Sequence, residues 1–254
     1  APELLEGQKL DLAVWKDWTY RGILSGLFQG SVDWNPRLSL QHGIINQILK
    51  EGVKPKIVSV SMSFNFQAAL EKSNQLDMLK KSPWLWVMSA GNQGREVKQA
   101  ERTHETTGAS GCFSDVPGEN RNGKNVLCVG ALVRHSPEPE VADYSNYGDI
   151  VDVYAYESYD PLCPNGTSCA TPAISAAAAM IAAKYPHLTP AQIKEVIVAA
   201  SVEKQLKVHV DMSNPVMAAA VTEGLIRTER TVRVFDPIEM MGRAYEIAAT
   251  QEMF

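Results

Sequence analysis

Gly166-Thr167-Ser168-Cys169-Ala170-Thr171-Pro172 runs without interruption into Ala173–Ala183, a stretch made mostly of alanine. A small hydroxyl residue thus stands at a helix start, where backbone N–H groups lack partners and the helix dipole is positive. Two jobs suit a serine there. It can cap the helix, or it can attack a carbonyl carbon while the helix end stabilises the charge that develops on the oxygen. Ala173, Ala176, Ala177 and Ala179 are expected to let the helix lie close against a sheet and hold Ser168 rigidly, although packing alone accounts for them equally well.

Upstream, Trp84-Leu85-Trp86-Val87-Met88-Ser89-Ala90-Gly91-Asn92-Gln93-Gly94 reads as a buried strand entering a Gly-Asn-x-Gly turn. Gly and Asn are ordinary turn residues. At the carboxyl edge of an open α/β sheet, where ligands bind, the same asparagine can donate its amide to an oxyanion beside the Ser168 N–H. Neither segment is decisive alone; the two in this order point to acyl transfer.

The surrounding chain fits an α/β protein. Apolar runs at Leu12–Trp15, Ile57–Ser63, Trp84–Ala90, Val126–Leu132 and Ile150–Ala155 alternate with helical patterns at Leu40–Lys50 and Gln67–Lys81. Such alternation predicts a mainly parallel β-sheet flanked by helices on both faces. Thr189-Pro190-Ala191-Gln192 and Asp236-Pro237-Ile238-Glu239 announce two further helices through their caps. Residues 95–125 lack periodicity and read as a long surface loop. With no repeat, low-complexity tract or linker, residues 1–254 are expected to form a single domain.

Composition closes off several functions. The 254 residues carry 24 Lys plus Arg against 29 Asp plus Glu, a net charge of −5, which argues against binding nucleic acid. The apolar stretch Ala173–Ala183 is far short of the roughly 20 residues that cross a bilayer, so no membrane span is expected. Four cysteines, Cys112, Cys128, Cys163 and Cys169, allow three pairings, of which Cys112 with Cys128 and Cys163 with Cys169 is the simplest. Buried free thiols are the alternative. The even count, with an Ala1 start that reads as processed, favours a secreted or otherwise extracytoplasmic protein. Glu96, Glu101, Glu105, Asp115 and Glu119 in the long loop show no calcium-ligand spacing, so no metal or cofactor is expected. His104, His135, His187 and His209 read as surface residues.

From about residue 40 onward the chain resembles the subtilisin-like serine proteases, the subtilases. Gly-Thr-Ser-x-Ala-x-Pro at 166–172 is similar to their nucleophile motif, and Ser-Ala-Gly-Asn-Gln-Gly at 89–94 to their oxyanion asparagine motif. Val60-Ser61-Met62-Ser63 resembles the strand that walls the cleft, Val126–Leu132 the "AVGA" strand, and Ala142–Gly148 the "SxFSNxG" segment. The resemblance implies Ser168 as nucleophile and Asn92 as oxyanion donor. It implies Ser63, Phe64, Asn65, Ser89, Ala90 and Gly91 as the lining for the substrate residue before the scissile bond. Asn65 departs from the glycine common at that wall, so the resemblance implies no preference for that residue.

A serine needs a histidine to take its proton and a carboxylate to orient that histidine. The family places both before the oxyanion asparagine, where this chain has His42 and, as loop aspartates, Asp11, Asp17 and Asp33. His42-Gly43 superficially resembles the family's "HGT" motif. Ile44-Ile45-Asn46 matches better the later helix just ahead of the cleft strand, which puts the catalytic Asp and His on polypeptide upstream of Ala1. Three readings follow: a serine endopeptidase whose Asp and His come from an upstream or separately cleaved segment, with an N-terminal fragment or propeptide of the same precursor as its candidate partner; a shortened triad of Asp17, His42 and Ser168; and an inactive subtilase-fold binding or regulatory module. The expected partner of the first two is a polypeptide substrate.

Overall fold

The computed structural model describes residues 56–61, 82–96, 112, 124–134, 136–157, 163, 165–225 and 227–250. The segments around Leu12, Leu40–Lys50 and Gln67–Lys81, with Asp17 and His42, lie outside the described residues.

Seven strands are present among them: β1 (Ile57–Val60), β2 (Leu85–Ser89), β3 (Val126–Leu132), β4 (Glu140–Ala142), β5 (Val153–Tyr156), β6 (Ser201–His209) and β7 (Glu229–Phe235). β1, β2 and β3 pair in parallel, with Ile57 beside Leu85 and Trp86 beside Val126. Every residue of β2 and β3 is buried, which is why these two read as continuous apolar runs. β3 then pairs in parallel with β5 along Val129–Leu132 and meets β4 antiparallel at Leu132 and Val141. β5 joins β7, β7 runs antiparallel to β6 over seven residue pairs, and β6 returns to β4. Strands β3, β4, β6, β7 and β5 thereby close into a ring.

The expected sheet is corrected in one respect: it is mixed, and β4, β6 and β7 were not anticipated. β6 and β7 carry charged residues alternating with Leu206, Val208, Val232 and Val234, so only one side of each is buried. One-sided burial is the mark of an antiparallel ribbon. Those four side chains pack with Leu132, Val141 and Tyr154 in a small second core.

Helix α1 (Thr167–Lys184) crosses the parallel strands, and α2 (Pro190–Ala199) and α4 (Pro237–Ala249) pack beside it. The main core joins Leu85, Val87, Leu127 and Val129 to Ile174, Ile181, Ile193, Ile197 and Met240. All three helices share this core, so among the described residues the helical cover lies on one face. The sheet-facing stripe of α1 is Ala170, Ile174, Ala177, Ala178 and Ile181; Ala173 and Ala176, expected on that stripe, are exposed. Helix α3 (Pro215–Thr222), between β6 and β7, buries none of its residues. Among the described residues no helix is long and apolar enough to cross a membrane.

The caps read from sequence form. The Thr189 side chain accepts from Gln192 N while Gln192 answers the Thr189 N–H, and Asp236 accepts from Ile238 and Glu239 N. Thr189→Ala is expected to cost about 1 kcal/mol of stability, read as a lower urea midpoint at unchanged slope.

Candidate active site

Pro172 sits inside α1 and has no N–H, so the carbonyl of Ser168, four residues earlier, is released from the helix ladder. The Ser61 Oγ donates to that carbonyl at 3.0 Å, and the Ser168 Oγ donates to the Ser61 carbonyl at 3.2 Å. One proline thus docks the end of β1 onto the first turn of α1. Ser168 does not cap its helix, which removes the plainer of its two sequence readings.

The cap comes from elsewhere. Gly166 is the N-cap and has no side chain to serve; the Asn92 Oδ1 takes its place, accepting from Thr167 N at 2.9 Å and Thr167 Oγ1 at 2.8 Å. Thr167 Oγ1 in turn accepts from Gly91 N at 3.1 Å. With Oδ1 committed to the helix, the Asn92 Nδ2 is left without a protein partner among the described residues. The N–H of Ser168, in the first turn, has no acceptor within the helix either.

Both donors lie beside Gly166. A Cβ built on Gly166 would lie 3.2 Å from Asn92 Nδ2 and 3.8 Å from Ser168 N. Gly166 has φ 115° and ψ 151°, a backbone region open in practice to glycine alone. Its N–H is fixed from below by the Tyr144 hydroxyl at 2.8 Å and the Glu157 Oε1 at 3.1 Å. The start of α1 thus carries Asn92 Nδ2, the Ser168 N–H and the partly exposed Ser168 side chain close to one glycine.

Ser89 and Ala90 at the end of β2 are buried, and Gly91, at φ 98°, leads into the turn that carries Asn92. Ser63, Phe64 and Asn65 lie outside the described residues. Cys112 is bonded to Cys128, and Cys163 to Cys169, whose chain position follows the serine directly. Among the described histidines, His187 follows the far end of α1, which is about 24 Å of helical rise from Ser168. His209 pairs through Nδ1 with the Glu140 Oε2 at 2.8 Å. Among the described residues no three His, Cys, Asp or Glu gather as a metal site.

Across residues 39–220 the chain matches the sequence profile of the subtilase family. It belongs to that family. No curated protein sequence matches this subtilase. Among solved structures it is similar to one described under the assembly of subtilase cytotoxin SubAB, with TM-score 0.54, 18% identity, and coverage of 76% of this chain and 59% of that one. It is also similar to the prenylagaramide maturation protease PagA, with TM-score 0.51, 20% identity, and coverage of 85% and 71%. At these identities the likeness is one of fold, and this subtilase spans 59% of the length of the first of the two.

Tyr144 and Asn146, in the segment read from sequence only as a family motif, turn out to hold the site from beneath. The sequence signal was a Ser-Asn pair between two tyrosines and followed by Gly148, and both Ser145 and Asn146 are fully buried. Asp143, beside them, has its carboxyl raised above the ordinary value of 3.8, chiefly by burial and against the pull of His209 and Arg230. A carboxyl that binds its proton more tightly when folded adds stability below the unfolded value and loses it as pH rises through the folded one. Asp143→Asn, which keeps the acceptor for Tyr144 N, is expected to raise Tm at pH 7 and to lose that advantage below about pH 3.8. Gly166→Ala is expected to cost roughly 1–3 kcal/mol in denaturant titration, because the alanine is held at a positive φ and presses on Asn92.

Proposed function

We propose that this chain is the nucleophile-bearing part of a subtilisin-like serine endopeptidase, with residues 1–254 belonging to one catalytic unit. The observation that carries the reading is that Asn92 Nδ2 and the Ser168 N–H, neither engaged among the described residues, both lie beside Gly166 at the end of α1 that bears Ser168. The Ser168 Oγ attacks the carbonyl carbon of a polypeptide substrate and passes its proton to a histidine. The two donors take up the charge of the tetrahedral oxygen, so they bind the transition state better than the planar carbonyl. The intermediate collapses, the amine leaves with the proton from histidine, and an acyl group remains on Ser168 until water removes it.

The histidine and its aspartate come from an upstream or separately cleaved segment, a reading supported by the match of Ile44-Ile45-Asn46 to the family's later helix. Ser63, Phe64 and Asn65, opposite Ser89, Ala90 and Gly91, line the pocket for the residue before the scissile bond. Two disulfides support an extracytoplasmic site of action. No metal or cofactor enters this chemistry.

One observation favours a second reading, a subtilase-fold binding module: the Ser168 hydroxyl donates its hydrogen bond to the Ser61 carbonyl, which cannot act as a base. A fluorophosphonate probe separates the two. Native material is expected to label at Ser168 and Ser168→Ala to remain unlabelled. Asn92→Ala should slow labelling about 10²–10³-fold, a magnitude that comes from this family and not from the geometry here. Intact fold without labelling would establish the binding module, and full activity after His42→Ala would exclude the shortened triad.

A further inference from the structure

We infer that Asn146 is a positioning residue: a buried clamp that fixes the turn at 90–95 and thereby sets the direction of the Asn92 amide. An asparagine side chain offers two acceptor lone pairs and two donor hydrogens. All four are spent on one turn. The Asn146 Oδ1 accepts from Gln93 N at 3.1 Å and Arg95 N at 3.2 Å, while Nδ2 donates to the Ala90 carbonyl at 2.9 Å and the Gln93 Oε1 at 2.8 Å. Its own N–H donates to the Gly91 carbonyl at 2.9 Å. These bonds bracket Asn92 on both sides and leave it untouched.

The neighbours of the clamp complete the grip. Gly94 N donates to the Tyr144 carbonyl at 2.7 Å, and a Cβ on Gly94 would stand 2.7 Å from the Asp143 carbonyl oxygen, so the turn lies flush on residues 143–146. The clamp is itself anchored in the closed ring of strands. The Ser145 Oγ accepts from Ala131 N and donates to the Asn146 carbonyl, each at 3.1 Å. The Arg230 Nη1 donates to the Ser145 carbonyl at 3.1 Å, with its guanidinium 3.8 Å over the Tyr147 ring. A rigid route thus runs from β3 and β7 to a turn whose own Asn92 is exposed.

The kinetic part of this inference rests on the endopeptidase reading; the positioning part does not. The full native material is compared with Asn146→Ala and Asn146→Asp, using side-chain ¹⁵N relaxation of the Asn92 amide, assigned through Asn92→Asp, and the fluorophosphonate labelling of Ser168. In folded Asn146→Ala the Asn92 amide is expected to fall to a flexible order parameter, below about 0.6. The maximal labelling rate should drop about 10²-fold, with half-saturating probe concentration changed less than about threefold, because orientation and not binding is lost. Asn146→Asp, which keeps the two acceptor bonds, should fall between. A loss of stability with rate and amide rigidity unchanged would mark a merely structural residue and overturn the inference. Should the alanine variant fail to fold, unchanged rigidity in Asn146→Asp overturns it in the same way. Wild-type material that never labels, in which Asn146→Ala still loosens Asn92, would sink the endopeptidase reading and leave the clamp standing.

Discussion

The carbonyl oxygen of one exposed asparagine holds the site together. By accepting two hydrogen bonds from Thr167, Asn92 supplies the helix cap that Gly166 lacks, and in doing so spends its only acceptor. The amide hydrogens then have nowhere to point but away from the helix. The bond that completes α1 is thus also the bond that orients the Asn92 amide. Without Asn92 the Thr167 N–H and hydroxyl would both lose their acceptor. The fold therefore maintains the aim of Asn92 for its own stability, with or without a substrate.

The fold was legible where physics acts over short range. β3 has the bounds read from sequence, and β1, β2 and β5 lie inside or within a residue of theirs, because fully buried strands announce themselves as apolar runs. The Thr189 and Asp236 caps were readable for a similar reason, their chemistry being complete within four residues. β6, β7 and α3 were missed. A charged strand with alternating Leu206 and Val208 reads as surface chain until its partner is known, and that partner begins twenty residues later. The stripe on α1 was misjudged because near-uniform alanine has no face of its own; Ile174 and Ile181 decide which side turns inward.

At the site, the motifs that carry Ser168 and Asn92 could be read, and the residues that hold them could not. Ser168 and Asn92 stand out only as a pair, since helix capping and an ordinary turn explain each segment alone. Asn146 and Tyr144 act across gaps of some fifty and twenty residues, and nothing in a linear chain says that a buried amide will be shared between Ala90, Gln93 and Arg95. Pro172 lies between these cases. Its cost to the helix was visible in the sequence, but not that the carbonyl it frees would be claimed by Ser61.

Helix α3 stands apart from this economy. It joins two strands that are already paired at Lys207 and Glu229, and none of its side chains enters either core. Residues 212–225 are thus a passenger on the ribbon, a span whose length and sequence are free to change without disturbing either core.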